Sequence, residues 1–200
     1  MKKIIGTTLV LSLLMITYAF KQTKPLYNNG DIVLQTTNGE TGKAIQLATH
    51  SKFNHCGVLF FENNEWVVYE AVQPVGKISL SDFNKRGKAT VMRLKNASTV
   101  LTADAIEKLK TIYKEYDHKN YDSKYNWSND ELYCSELVYK LYFNGLGIEL
   151  CKPRHLKDFD LSNPLVKKQL DLKYNNHIPL DEPMVAPSDI ETSNLLQLVN

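Results

Sequence analysis

Four short runs in the first hundred residues carry the apolar patterning of β-strands. They are 30–37 (GDIVLQTT), 55–61 (HCGVLFF), 65–72 (EWVVYEAV) and 89–95 (ATVMRLK). Asn63 and Asn64 lie between the second and third runs, and asparagine tolerates the positive φ angles of a tight turn. The second and third runs are therefore predicted to form a β-hairpin within a small antiparallel sheet.

Three other stretches carry apolar side chains three or four residues apart, which is the spacing of one helix face. Residues 40–51 predict a short helix that begins at Thr41, and 102–116 predict an amphipathic surface helix capped by Thr102. Residues 129–145, NDELYCSELVYKLYFNG, predict a third helix. Because these helices are segregated from a meander-like sheet, the pattern favours an α+β fold over a parallel α/β fold.

The C-terminal quarter of the chain has a different composition. Five of the seven prolines lie beyond residue 152, which predicts an irregular segment over 153–200 with short helices near 163–170 and 187–198. No repeat of 20 to 50 residues is visible. We therefore expect one domain over 20–200, with 153–200 as an extension that wraps it.

The first residues match a secretory signal. Lys2 and Lys3 precede an apolar run, 4–16, and small side chains follow it at Thr17 and Ala19. Residues 1–19 are accordingly predicted to be a signal peptide, and the protein to be exported to the periplasm, the cell envelope or the medium. The alternative is an uncleaved membrane anchor, since about 17 residues can just span a bilayer.

Charge and common motifs exclude several classes of function. Cleavage after Ala19 removes two of the 24 basic side chains and no acidic one, so that basic residues match the 22 acidic residues in number. No basic field is left to bind nucleic acid. The sequence has no CxxC, HExxH, P-loop or glycine-rich dinucleotide motif. Three cysteines are too few, and odd in number, for a disulfide scaffold, so at least one thiol is expected to be free.

Cys134 lies on an apolar stripe of the third predicted helix. The stripe also contains Leu137, Val138, Leu141 and Tyr142. Taken alone, this position is typical of a packed core cysteine. If Ser128, Asn129 or Asp130 caps the helix, however, Cys134 lies near its first turn, where unpaired N–H groups and the helix dipole stabilise a thiolate or an oxyanion.

The predicted hairpin brings a histidine and a carboxylate together. With the turn centred on Asn63 and Asn64, Gly57 lies opposite Glu70, and His55 is a diagonal neighbour of Glu70 on the same face. Backbones of such neighbours are roughly 7 to 8 Å apart, a gap that two long side chains can close. A loop of odd length would place them on opposite faces. The alternatives are an exposed Glu70 on an edge strand and a buried structural His55.

Thiolate, imidazole and an orienting polar group are the three components of a cysteine hydrolase. Cys134, His55 and Glu70 supply these types if the inward stripe of the helix faces the strand surface that carries His55 and Glu70. Cys56 points to the opposite face of its strand, and Cys151 lies in a loop; both are interpreted as structural or as a disulfide pair. No cofactor is expected.

Several motifs, in order, resemble the YiiX-like family of permuted papain-like cysteine amidases. This family is related to NlpC-type cell-wall peptidases and to lecithin retinol acyltransferase. The matching motifs are NGDIVLQT, THSKFNHCGVLFF, VVYEAVQPV, NWSNDELYCSELVYKLY, DFDLS and IPLDEP, which extend from about residue 29 to the C-terminus.

The resemblance implies a permuted papain-like fold, with a small sheet or half-barrel packed on helices. It also implies that Cys134 is the nucleophile, His55 the general base and Glu70 the residue that orients His55. One departure is Cys56, where the family usually has an aliphatic residue; we expect it to be an outward-facing apolar substitute. The implied substrates are small peptides, N-acyl amides or lipid-like esters, with membrane or cell-wall proximity.

Two other functions stay open at the level of sequence. The first is a binding protein that holds an acyl chain or a cell-wall peptide in the same groove without turnover. The second is a zinc site formed by Cys134, His55 and Glu70 with water as the fourth ligand, although no closely spaced ligand pair anchors a metal.

Overall fold

The structure, a computed structural model, describes residues 26–199. The predicted signal peptide or anchor over 1–19 lies outside these residues. Within 26–199, no helix combines the length and apolar character needed to cross a membrane.

The described residues form one six-stranded sheet in which every neighbouring pair is antiparallel. Its strands in chain order are β1 (Asp31–Gln35), β2 (His55–Glu62), β3 (Glu65–Glu70), β4 (Gly76–Ser79), β5 (Thr90–Leu94) and β8 (Leu196–Leu198). Their order in space is β4-β3-β2-β1-β5-β8. A separate two-stranded ribbon joins β6 (Arg154–His155) to β7 (Pro183–Met184).

Helices surround this sheet, as the α+β prediction requires. They are α1 (Glu40–Thr49), α2 (Leu80–Lys85), α3 (Ala97–Val100), α4 (Ala103–Tyr116), α5 (Cys134–Leu146), α6 (Pro164–Tyr174) and α7 (Pro187–Glu191), with a 3₁₀ turn at Leu156–Asp158. The Thr102 side chain accepts a hydrogen bond from the N–H of Ala105, so the predicted cap of α4 is confirmed. Helix α1 begins after Gly39 rather than at Thr41.

The β2–β3 hairpin has the predicted register. Phe61 pairs with Trp66 and Leu59 with Val68, and both turn residues, Asn63 and Asn64, adopt positive φ angles of 49° and 65°. Because side chains alternate between faces, this register confirms the predicted parity of the hairpin.

The two faces of the sheet belong to different apolar cores. On one face, Cys56, Val58 and Phe60 pack with the buried stripe of α5 and with α4. On the other face, Leu59 and Val68 pack with a smaller cluster that includes Phe83 of α2. A third cluster lies between α1, α6 and the C-terminal residues around Met184.

The C-terminal segment is more ordered than its proline content predicts. Helices α6 and α7 lie close to the predicted positions, but β8 was not expected: Leu196 pairs with Leu94 at the edge of the sheet. Lys95 reinforces this pairing, since its N–H donates to the carbonyl of Leu195 at 2.9 Å. The extension over 153–200 is therefore partly regular structure and contributes one strand to the main sheet.

Candidate active site

Helix α5 begins at Cys134 itself, and its cap lies three to five residues after the caps suggested by the sequence. Tyr133 is the N-cap residue, in an extended conformation. A bridge between Tyr121 and Leu132 keeps the preceding segment extended, because the N–H of Asp122 donates to the carbonyl of Leu132 at 3.0 Å. The thiol is thus in the first turn, where backbone N–H groups have no partner within the helix.

Glu136 and Lys140 reinforce this helix start. The Glu136 carboxylate accepts a hydrogen bond from the N–H of Tyr133 at 3.4 Å and one from Nζ of Lys140 at 2.7 Å. Lys140 also donates to Oδ1 of Asn129 at 2.9 Å, and so it ties the incoming loop to the helix. Both side chains are almost fully buried, which fixes the position of the neighbouring Cys134.

His55 and Glu70 form a buried pair. Nε2 of His55 lies 2.5 Å from Oε2 of Glu70, and the two side chains are 11% and 2% exposed. The diagonal contact that the hairpin register predicts is therefore made. Burial favours neutral imidazole, but hydrogen bonds with Cys134 and Glu70 outweigh it and raise the pKa of His55 to about 9.

The Cys134 thiol contacts both cysteine and histidine side chains. The Cys56 thiol donates a hydrogen bond to the Cys134 sulfur, and this bond is the main reason that the pKa of Cys134 lies well below its ordinary value. Burial opposes the shift, whereas His55 and the backbone N–H of Cys56 add to it. With Nε2 engaged by Glu70, the other ring nitrogen of His55 is left for the sulfur. These groups favour a thiolate beside an imidazolium.

The expectation that the inward stripe of α5 faces the surface carrying His55 and Glu70 is wrong. The stripe packs on the Cys56 face of β2, while His55 and Glu70 lie on the face covered by α2. Cys134 nevertheless meets His55, because His55 is the first residue of β2 and the N-terminus of α5 lies at that strand end. The N-terminus of α5 therefore contacts the first residue of β2 at the end of the strand, not across a face of the sheet.

The interpretation of Cys56 also needs correction. Its side chain is fully buried against Cys134 rather than outward-facing. The three cysteines, all within the described residues, are free thiols, so the alternative of a Cys56–Cys151 disulfide is not realised. The alternation of side chains along β2 correctly placed Cys56 on the face opposite His55. The sequence alone did not indicate that Cys134 also lies on the Cys56 face.

Two residues beside the site were missed entirely. Phe83 stacks on the His55 ring at a centroid distance of 5.7 Å and an interplanar angle of 27°. Nη2 of Arg86 donates to both carboxylate oxygens of Glu70, each at 2.7 Å. Burial raises the pKa of Glu70, but hydrogen bonds and charge from His55 and Arg86 prevail and lower it below 4.5. Helix α2 has only six residues, too few for a periodic apolar pattern to reveal it.

An apolar cavity opens directly beside Cys134. Its volume is about 100 Å³, and it opens to solvent. Cys134 and Ser135 lie in its wall, and α1, α6, the loop with Tyr121 and Tyr125, and the C-terminal segment form the rest. The apolar lining includes Ala44, Ile45, Ala48, Leu156, Phe159, Val166, Leu170, Met184, Val185 and Ala186.

Lys173 is the one basic side chain that lines this cavity in the described part of the chain. Its ammonium group donates to the carbonyl of Ser123 and lies 3.8 Å from the centre of the Tyr125 ring. The charge is thus directed at the loop that forms one wall. Burial lowers the pKa of Lys173 to about 8. The cavity is suited to an apolar group that reaches the thiol.

Comparisons with known proteins give one consistent result. Residues 26–200 match the model of the permuted papain-like amidase enzymes, YaeF/YiiX, C92 family. The uncharacterized protein YiiX of Escherichia coli K12 is 39% identical over 185 residues, which cover 91% of this chain and 89% of that protein. A crystal structure of the metalloprotein YiiX from Escherichia coli O157:H7 superposes with a TM-score of 0.82 at 39% identity. The superposition covers 86% of this chain and 96% of the YiiX chain.

Proposed function

The chain belongs to the permuted papain-like amidase family of YaeF and YiiX, and from that premise we propose that it cleaves amide or ester bonds through Cys134, His55 and Glu70. Membership makes it a papain-like cysteine hydrolase in general. We propose further that the acyl part of its substrate is apolar. The observation that carries this proposal is that the thiol in contact with His55 also lines the apolar cavity.

The reaction begins with a thiolate and an imidazolium. The Cys134 sulfur attacks the scissile carbonyl carbon, and the carbonyl oxygen becomes an oxyanion. Backbone N–H groups in the first turn of α5 can donate hydrogen bonds to this charge, since they have no intrahelical partner. His55 gives its proton to the leaving nitrogen or oxygen as the bond to carbon breaks, and an acyl-enzyme remains.

Hydrolysis of the acyl-enzyme reverses these roles. Neutral His55 takes a proton from water, the hydroxide adds to the thioester carbonyl, and the Cys134 thiolate leaves. Glu70 keeps the imidazole oriented through its 2.5 Å hydrogen bond and stabilises the imidazolium without accepting its proton. Phe83, stacked on the ring, limits its rotation.

A metal ion does not fit the residues of this site. The related protein of Escherichia coli O157:H7 is described as a metalloprotein. Among residues 26–199 here, however, no group of three or more His, Cys, Asp or Glu side chains is placed to hold a metal ion. Arg86 occupies both oxygens of Glu70 and would repel a divalent cation. We therefore derive no step through a metal.

The location and partners of the enzyme are also proposals. The signal-like sequence of residues 1–19 supports export to the periplasm, the cell envelope or the medium, with an uncleaved anchor as the alternative. An apolar acyl substrate fits a protein near a membrane or the cell wall. We propose no nucleic-acid partner, because basic and acidic residues are nearly balanced.

A series of p-nitrophenyl esters and p-nitroanilides with acyl chains of increasing length tests the proposed activity. We expect faster hydrolysis of long apolar chains than of acetyl compounds, and no hydrolysis by Cys134→Ala. Cys151→Ala is the matched control, because its thiol is free but lies outside the site. Ala48→Phe, which narrows the cavity at α1, should slow the long-chain reaction and spare the acetyl reaction.

Two results would contradict the proposal. Preferential cleavage of a cell-wall peptide over every acyl compound would overturn the substrate class. Tight binding of a fluorescent fatty acid without turnover would favour a binding protein, provided that iodoacetamide alkylates Cys134 only at pH values near the free-thiol pKa of about 8.5.

A further inference from the structure

Arg86 contacts the orienting carboxylate from outside the three proposed catalytic residues. Its guanidinium donates to both oxygens of Glu70 at 2.7 Å, and its own side chain is 35% exposed while that of Glu70 is 2% exposed. Arg86 is therefore partly accessible to solvent, whereas the Glu70 carboxylate that it binds is buried. Arg86 also lies over the Phe83 ring, 5.1 Å from its centre, and Phe83 stacks on His55.

The backbone around Arg86 is anchored to the strands that carry the site. Gln35, fully buried, is the strand partner of His55, and its Nε2 donates to the carbonyl of Phe83 at 2.6 Å and to that of Gly87. Both ends of the short segment 83–87 are therefore held by one side chain. Gly87 has φ of 155°, and a Cβ there would meet the carbonyl of Thr36, so the chain passes close to the sheet.

The charges of the site balance only when Arg86 is counted. The thiolate and Glu70 are anions, and the imidazolium is a single cation within the buried group. The charged side chains that face Glu70 are His55 and Arg86. Without Arg86 the group would carry a net negative charge in a poorly solvated place, and proton uptake by Glu70 or Cys134 would relieve it.

We propose that Arg86 is a positioning residue for the reaction, which holds Glu70 ionised and oriented and thereby keeps Cys134 in its reactive thiolate form. The inference rests on the proposed function, because it concerns the same three residues. Arg86 touches neither the thiol nor a substrate; it acts through Glu70 and, by way of Phe83, on the plane of the His55 ring.

The test compares Arg86→Met with Arg86→Lys. The rate of alkylation of the Cys134 peptide by iodoacetamide is measured against pH, together with kcat and KM for p-nitrophenyl butyrate. For Arg86→Met we expect the alkylation midpoint to rise by about one pH unit and kcat to fall about tenfold, with little change in KM. Arg86→Lys keeps the positive charge, so its alkylation midpoint and its kcat should both be close to those of wild type.

Arg93→Met is the matched control. Arg93 also donates to both oxygens of a buried carboxylate, Asp31, at 2.7 Å, but it lies on β5 away from the thiol. The Arg93→Met variant should have a lower melting temperature and an unchanged alkylation midpoint of Cys134. If Arg86→Met fails to fold, Arg86→Gln removes the charge with a side chain that still donates hydrogen bonds, and the same shift is expected.

The outcomes separate this inference from the proposed function. A folded Arg86→Met or Arg86→Gln variant with the wild-type midpoint and kcat would overturn the role of Arg86 alone. A wild-type Cys134 that reacts only as an ordinary free thiol would overturn the proposed function and, with it, the need for Arg86. A loss of melting temperature without any shift in midpoint would make Arg86 merely structural.

Discussion

Two buried carboxylates in this protein have opposite acid–base behaviour. Glu70 on β3 and Glu136 on α5 are 2% and 0% exposed. Yet Glu70 has a pKa below 4.5, whereas burial raises the pKa of Glu136 to about 7 despite its hydrogen bond with Lys140. Equal burial therefore does not decide which carboxylate is charged.

The difference lies in the number and placement of their partners. Glu70 receives hydrogen bonds from His55 and two from Arg86, all between 2.5 and 2.7 Å. Glu136 has one cationic partner at 2.7 Å and a long contact of 3.4 Å with the N–H of Tyr133, and the nearby charge of Asp122 works against its ionisation. Convergent cations keep Glu70 ionised for its proposed role, while Glu136 supports the helix start.

Of the two carboxylates, Glu70 should have the larger effect on activity when its charge is lost. Glu70→Gln keeps the shape but removes the partner of the imidazolium, so we expect kcat for an activated acyl ester to fall about 100-fold. His55→Gln, which removes the proposed base, should be more severe. Glu136→Gln should keep activity within a few-fold of wild type. A Glu136 variant as impaired as Glu70→Gln would remove the distinction between the two carboxylates.

Loss of the Glu136 side chain should instead affect stability. In Glu136→Leu, the buried ammonium of Lys140 loses its hydrogen-bond acceptor on the helix, and we expect the free energy of unfolding to fall by about 3 kcal/mol. Urea denaturation measures this. The double variant Glu136→Leu/Lys140→Met, which removes both charges, should regain a large part of the loss. A double variant less stable than the single one would contradict this account.

The pH dependence of stability should differ in sign between the two sites. Folding raises the pKa of Glu136 from 4.5 to about 7, so its ionisation costs stability, and the stability of wild type relative to Glu136→Gln should decline as pH rises through that interval. Folding lowers the pKa of Glu70, so the advantage of wild type over Glu70→Gln should disappear as pH falls below 4.5. Urea titrations from pH 3 to 8 measure both differences; parallel profiles would refute the contrast.

Cys56 is a neutral donor to the Cys134 sulfur, so its loss should act on the thiol and leave the two carboxylates unchanged. In Cys56→Ala the backbone N–H at position 56 still contacts the Cys134 sulfur, but the thiol donor is lost. We expect the alkylation midpoint of Cys134 to rise by more than about one pH unit, since this thiol contributes most to the low pKa of Cys134. Cys151→Ala serves as the control. An unchanged midpoint would mean that charged partners alone set the state of the nucleophile.

The parts of the fold that depend on local pattern were predictable from sequence. Asn63 and Asn64 determine the turn, the turn determines the register, and the register places His55 beside Glu70. The cap at Thr102 is local in the same sense. These predictions needed no knowledge of how the sheet and helices pack.

The parts that depend on packing were not predictable. Arg86 reaches Glu70 through a six-residue helix, and β8 is a three-residue strand whose pairing exists only at the sheet edge. Helix α5 begins at Cys134 because a bridge between Tyr121 and Leu132 keeps the preceding residues extended, although Ser128 and Asp130 resemble caps. In each case a distant segment determines the conformation.

The C-terminal segment completes the cavity, and this has a consequence for biosynthesis. Val185 accepts a hydrogen bond from the Ser135 hydroxyl at 2.7 Å, and its N–H donates to the Tyr133 hydroxyl at 3.1 Å, on both sides of Cys134. During translation, Cys134 emerges about fifty residues before Val185, and His55 and Glu70 emerge earlier still. The nascent chain therefore carries its proposed nucleophile uncovered until the segment around Val185 docks, and the apolar cavity forms only then.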